Sequence, residues 1–211
     1  MRRALLAGGS GLVGGIALRL LLESPGHSKV VSLGRRELPL SHPKLEQSAL
    51  DAAFSGDEFY CCLGTTIKKA GSREAFRAVD FDAVLTLAKR ASTSGVRHFF
   101  LVSSMGADER SAAFYAKTKG QIEKAVAALP FEGVHIFRPS LLLGARSESR
   151  PAEAFAQALS PWLSPLCVGP LRPYRPIEGE TVARAMLAAA RAARPGVEIL
   201  PSDRIEEMAR R

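Results

Sequence analysis

The chain has 211 residues, 46% of them hydrophobic and 24% charged, which is ordinary for a soluble globular protein and long enough for one well-buried core. No apolar run approaches the roughly 18 residues that span a bilayer, and no linker divides the sequence, so a single domain over 1–211 is expected. The net charge of +8 comes from 21 Arg and 8 Lys scattered singly or in pairs, without the basic tract or aromatic-interleaved stripe of a nucleic-acid binder.

Met1-Arg2-Arg3 before the apolar Ala4–Ala7 has a superficial look of a secretion signal. Gly8–Gly15 interrupts it early, and amphipathic patterning resumes where a cleavage site would stand. Cys61 and Cys62 are adjacent, Cys167 is distant, and no Cys/His spacing suits a metal. A cytoplasmic protein without a metal site is the expectation.

Ala4–Ala7 gives way to Gly8-Gly9-Ser10-Gly11-Leu12-Val13-Gly14, and an apolar, helix-compatible run extends from Leu12 to Leu22. Strand, glycine turn and helix in that order lay a pyrophosphate on a helix N-terminus, where free N–H groups and the helix dipole both favour negative charge. Lys29–Gly34 reads as a second buried strand, which closes a βαβ unit of about 30 residues, the context in which such glycines carry meaning. A site preferring NAD places a carboxylate just after this strand, whereas Arg suits the 2′-phosphate of NADP. Here Arg35 and Arg36 follow Gly34, with no acid before Glu37. The planar guanidinium matches phosphate geometry, so Arg35 is the first candidate for that contact and Arg36 the second, against the bland alternative of two solvated surface arginines.

A third strand around Lys44–Gln47 is faintly patterned. Glu58–Gly64 reads as the fourth strand, and a helix runs from Ser72 or Arg73 to Gly95, with Ser72 as N-cap and Gly95 as C-cap. Val96–Ser103 is a fifth, almost wholly apolar strand, followed by a helix over about Ala112–Leu129 and a sixth strand, Val134–Pro139. Beyond Gly144 prolines break the chain into short pieces, including a short helix at Pro151–Leu159. An alanine-rich helix (Glu180–Ala193), a strand (Val197–Leu200) and a helix capped by Ser202 complete the chain. This alternation predicts an α/β protein, a parallel sheet with helices on both faces whose ligands sit at the carboxyl ends of the strands.

One helix carries Tyr115 and Lys119, four apart and therefore on one face, while Lys117 points elsewhere. An ammonium ~4 Å from a phenolate stabilises it by roughly 4 kcal/mol at an effective dielectric of about 20, which makes such a phenol a workable proton donor and acceptor. The preceding strand ends in Ser103-Ser104, where a hydroxyl can reach the carbonyl that Tyr115 would protonate. His98 and His135 lie inside apolar strands and read as core. Asp80 reads as structural or capping, and Trp162 and Tyr174 read equally as pocket wall or packing.

Together the glycine turn, Ser104, Tyr115-x-x-x-Lys119 and Arg138-Pro139-Ser140 resemble the short-chain dehydrogenase/reductase superfamily in its extended or atypical branch. Cys61–Thr66, Val79-Asp80, Ser103–Asp108, Lys119-Gly120 and Phe137–Ser140 resemble the Tat-interactive-protein-like oxidoreductases and their small bacterial relatives. The resemblance spans nearly the whole chain. It implies a Rossmann fold, a doubly wound parallel sheet of order 3-2-1-4-5-6-7 with a small Pro-rich substrate region at about 145–178. NADP(H) rather than NAD(H) would lie on Gly8, Ser10, Gly11, Leu12, Val13 and Gly14, flanked by Leu63, Gly64 and Thr65 and approached by Arg138, Pro139 and Ser140. Tyr115 would be the catalytic acid/base, Lys119 would hold the nicotinamide ribose, and Ser104 would orient a small-molecule substrate. By analogy with related folds, two helices beside the site offer a homodimer surface.

Three departures stand out. Ser104 and Tyr115 are only 11 positions apart, the third strand lacks the usual adenine-contacting Asp, and about 65 residues follow Gly144. A small carbonyl or similar acceptor fits these better than a nucleotide sugar. The alternative reading is a non-catalytic regulatory protein that senses NADP(H).

Overall fold

The computed structural model describes residues 1–144 and 174–211. The expected short helix at Pro151–Leu159, Trp162 and most of the Pro-rich substrate region lie outside these residues. Seven strands form one sheet: β1 (Arg2–Ala7), β2 (His27–Gly34), β3 (Leu45–Ala49), β4 (Glu58–Cys61), β5 (His98–Val102), β6 (Gly133–Arg138) and β9 (Gly196–Pro201). Their order is β3-β2-β1-β4-β5-β6-β9, every neighbouring pair is parallel, and the expected Rossmann topology is therefore the observed one. A two-stranded ribbon of β7 (Leu142–Leu143) and β8 (Ile177–Glu178), absent from the sequence reading, stands apart from the sheet.

The near-continuous apolar strands follow from burial on both faces. Successive side chains on β1 alternate between two cores. Ala4 and Leu6 pack beneath α1 (Leu12–Glu23), α6 (Gly179–Ala192) and α7 (Ser202–Ala209). Leu5 and Ala7 pack beneath α4 (Val84–Ser92) and α5 (Phe114–Ala127). The histidines in β5 and β6 are core, as expected. His135 stacks on Phe100 with centroids 4.9 Å apart and lies 5.9 Å from His98, while its Nδ1 meets Glu198 at 3.2 Å.

The long helix expected from Ser72 to Gly95 is not continuous. Ser72 does cap it, accepting from the Ala75 N–H at 3.0 Å, but α3 (Arg73–Arg77) passes into a π-helical turn (Ala78–Ala83) before α4 resumes and ends at Ser92. A separate short helix, α2 (Ile67–Ala70), precedes it, capped by the Thr66 side chain. Ser202, by contrast, is not a cap. It is the first residue of α7, buried, and its hydroxyl accepts the Ser140 N–H at 2.7 Å, which ties α7 to the end of β6.

Candidate active site

The glycine turn is shaped by contacts no side chain permits. Gly8 adopts φ +92°, and a Cβ there would lie 2.5 Å from the Cys62 carbonyl oxygen. A Cβ on Gly14 would lie 2.1 Å from the Gly8 carbonyl oxygen, so α1 can approach β1 only with glycine at that position. Gly11 caps α1 from an extended conformation, with no side-chain cap and no acid in the first turn. The first N–H groups of α1 therefore face outward without an internal partner, as an anion-binding helix start requires.

These groups open onto a cleft of about 870 Å³ at the carboxyl end of the sheet. Of the sequence candidates, Ser10, Gly11, Leu12 and Val13 line one wall, and Leu63, Gly64 and Thr65 continue it past β4. Ser104, Tyr115, Lys119, Pro139 and Ser140 line the opposite side. Gly8 and Gly14 shape the turn from beneath without lining the cleft. Arg35 and Arg36 stand exposed beyond β2, outside the cleft proper and without an ion-pair partner among the described residues.

Arg138 requires a correction. Its guanidinium does not face the cleft: Nε donates to both Glu123 carboxylate oxygens at 3.1 Å, and the same carboxylate accepts the Ser103 hydroxyl. Glu123 lies one turn beyond Lys119 on α5 and is buried, so the pair clamps α5 to the ends of β5 and β6. Backbone bonds from Ser103 N to the Phe137 oxygen (2.8 Å) and from Met105 N to the Pro139 oxygen (2.9 Å) extend that clamp past the strand ends. Ser104 is held between them, and among the described residues its hydroxyl makes a long 3.4 Å contact to the Met105 carbonyl.

Tyr115 is half-buried, its ring 5.3 Å from that of Phe76. Lys119, four positions on, is buried, whereas Lys117 is exposed as expected. Sequence reasoning gave Asp80 too small a part. It sits on the π-helical turn, is 1% exposed, and holds Lys119 Nζ at 2.7 Å on one oxygen and the Thr65 N–H at 2.8 Å on the other. Burial alone would lower the Lys119 pKa, but the Asp80 carboxylate, helped by Tyr115, more than offsets it, so the ammonium is retained. The pairing of Val79-Asp80 with Lys119 could be suspected from the motif, but the π turn that delivers it has no sequence pattern of its own. Glu178, Gly179 and Glu180, from β8 and the start of α6, also line the cleft and went unmarked in the sequence.

Cys61 ends β4 and Cys62 follows it. Burial pushes Cys61 up to about 12 and Cys62 higher still, although Cys62 lines the cleft. Tyr174, weighed as wall or packing, is 59% exposed and does not line the cleft among the described residues.

No family model matches the chain. Rat protein HTATIP2 is 40% identical over 164 residues, covering 72% of this chain and 67% of its own length. The mitochondrial protein FMP52 of Coccidioides immitis is 34% identical over 222 residues, covering 94% of this chain and 89% of its own. This chain belongs to the HTATIP2–FMP52 family of NAD(P)-binding, atypical short-chain dehydrogenase/reductases. Solved structures agree on the fold. MoeE5 in complex with UDP-glucose and NAD superposes with a TM-score of 0.70 at 18% identity, over 98% of this chain and 80% of that one. The Bordetella bronchiseptica enzyme WbmH in complex with NAD+ gives 0.71 at 19%, over 100% and 79%. Human SDR39U1 with NADPH gives 0.62 at 17%, over 94% and 72%. The mitochondrial label of FMP52 differs from the cytoplasmic placement expected above. No helix of the described residues is long and apolar enough to cross a membrane.

Proposed function

We propose that this member of the family is an NADP(H)-dependent oxidoreductase acting on a small carbonyl or similar acceptor. The observation that carries the reading is the convergence of Ser104, Tyr115 and the Lys119–Asp80 pair on a cleft whose facing wall is the open N-terminus of α1. The glycine turn suits a pyrophosphate, and the unpaired Arg35 and Arg36 beyond β2 suit a 2′-phosphate. Bound NADPH supplies a hydride. The protein's part is to orient the acceptor carbonyl on the Ser104 hydroxyl and to pass the Tyr115 phenolic proton to the oxygen as negative charge builds there. The Lys119 ammonium, fixed by Asp80, supports the phenolate left behind. Replacing Tyr115 with Phe removes the proton and little else. Turnover of aldehydes is expected to fall at least ~100-fold while NADPH affinity, followed by fluorescence titration, stays within about twofold. Unchanged turnover overturns the assignment.

One observation favours the non-catalytic, NADP(H)-sensing reading: the Lys119 ammonium is engaged by the buried Asp80 carboxylate. That reading predicts tight NADPH binding with no hydride transfer to any aldehyde, ketone, quinone or flavin.

A further inference from the structure

The β7–β8 ribbon crosses the end of the cleft, and one side chain of the glycine turn holds it there. Strand β7 continues the wall that carries Tyr115: past Pro139 and Ser140, the side chains of Leu141, Leu142 and Leu143 line the cleft in turn. The approach to β8 is bound back to the same wall. The Ser140 hydroxyl donates to the Arg175 carbonyl, and the Ile177 N–H donates to the Leu141 carbonyl at 2.9 Å. Ile177 is buried in the core shared with α1 and α6, whereas Leu142 and Leu143 are half-buried.

The far end of the ribbon rests on Leu12. Gly144 follows β7 and Gly179 follows β8, and both face the Leu12 side chain. A Cβ on Gly179 would lie 2.8 Å from Leu12 Cγ, and one on Gly144, where φ is +140°, would lie 2.9 Å from Leu12 Cδ1. Both approaches are closer than a Cβ tolerates, so the leucine fills a seat that two glycines leave open. Leu12 is also the first residue of α1, where its N–H is one of those that open onto the cleft. One residue thus serves two walls, with its backbone on the dinucleotide side and its side chain under the ribbon.

We propose that Leu12 is a positioning residue for the acceptor: its side chain seats the β7–β8 ribbon and so fixes the acceptor side of the cleft, while the dinucleotide uses its N–H. The inference rests on the oxidoreductase reading for the acceptor, but not for the seating of the ribbon. Truncating the side chain keeps the N–H and removes the seat, so the loss falls on acceptor placement, where a displacement of about 1 Å is costly.

The test follows reduction of 4-nitrobenzaldehyde by NADPH with the full chain. Leu12→Ala is expected to raise the aldehyde KM about tenfold while NADPH affinity, followed by fluorescence titration, stays within about twofold, and Leu12→Met is expected to restore most of the loss. Gly179→Ala drives a methyl group into Leu12. It is expected to raise the same KM severalfold with Leu12 in place and to add nothing in the Leu12→Ala background, where the room exists. Amide exchange followed by NMR gives a readout independent of turnover. The Ile177 N–H is expected to exchange about tenfold faster in Leu12→Ala, with the Leu5 and Leu6 amides of β1 unchanged, which separates a released ribbon from a general loss of stability. If the wild type reduces no aldehyde, the oxidoreductase reading fails and the exchange of Ile177 decides whether Leu12 seats the ribbon. A loss of NADPH affinity as large as the rise in aldehyde KM, additive effects of Leu12→Ala and Gly179→Ala, or unchanged Ile177 exchange overturns the proposal.

Discussion

Asp80 shows how much one buried carboxylate can organise. Its two oxygens hold Lys119, on α5, and the backbone of Thr65, beyond β4, so the lysine and one cofactor-side loop share a single anchor. Both members of the ion pair are almost fully buried, and removing one leaves an uncompensated charge inside the protein. Asp80→Ala is therefore expected to lose about 3–5 kcal/mol in urea unfolding, more than a surface pair could account for. A loss below ~1 kcal/mol would mean that the pair is solvated and that Lys119 is not fixed through it. Arg138 gives the opposite lesson. Its place beside Pro139 invited a cofactor role, but a strand-end arginine with a buried glutamate opposite satisfies that carboxylate first. Nothing local to Arg138 announces Glu123, which is 15 positions away on another element.

At the scale of elements, the strands and most helices were legible because a parallel sheet covered on both faces demands apolar runs, and α1, α5 and α6 show helical periodicity. The glycine turn was legible because φ and close approach at Gly8 and Gly14 exclude other residues. Three features were not. The π turn conforms to ordinary helical sequence, the β7–β8 ribbon is two residues per strand, and the Ser202 hydroxyl is used by Ser140 across 62 positions rather than by its own helix. Tertiary contacts decided each. The β5–β6 histidines carry a pH prediction. Burial holds His98 and His135 below the ordinary histidine pKa, so the folded protein keeps them neutral where the unfolded chain takes protons. Below about pH 6.5 the unfolded state then binds more protons, and stability falls as pH falls; above it these groups contribute no slope. Thermal unfolding between pH 8 and 5.5 should show a drop in Tm below about 6.5 that is smaller in His135→Phe. A Tm flat across that range contradicts the assignment.

For the whole molecule, fold and family are clear from sequence and comparisons alike, while cofactor choice rests on exposed groups at one edge. Arg35 and Arg36 are exposed and form no ion pair among the described residues, so their replacement should be silent for stability and visible only through ligand linkage. In the wild type, NADPH is expected to raise Tm more than NADH at equal concentration. In Arg35→Glu/Arg36→Glu the order should level or reverse, with the unliganded Tm unchanged. Equal shifts by both dinucleotides in the wild type would remove the NADP preference and leave the glycine turn as a general dinucleotide site.

The most direct measurement of the central claim is deuterium transfer from NADPH labelled at the nicotinamide C4 to an aldehyde, read as label in the product alcohol. Label is expected on the former carbonyl carbon with wild-type protein, and none above background with Tyr115→Phe. A protein that binds NADPH and transfers no label to any acceptor offered would contradict the account and leave the cleft a nucleotide sensor.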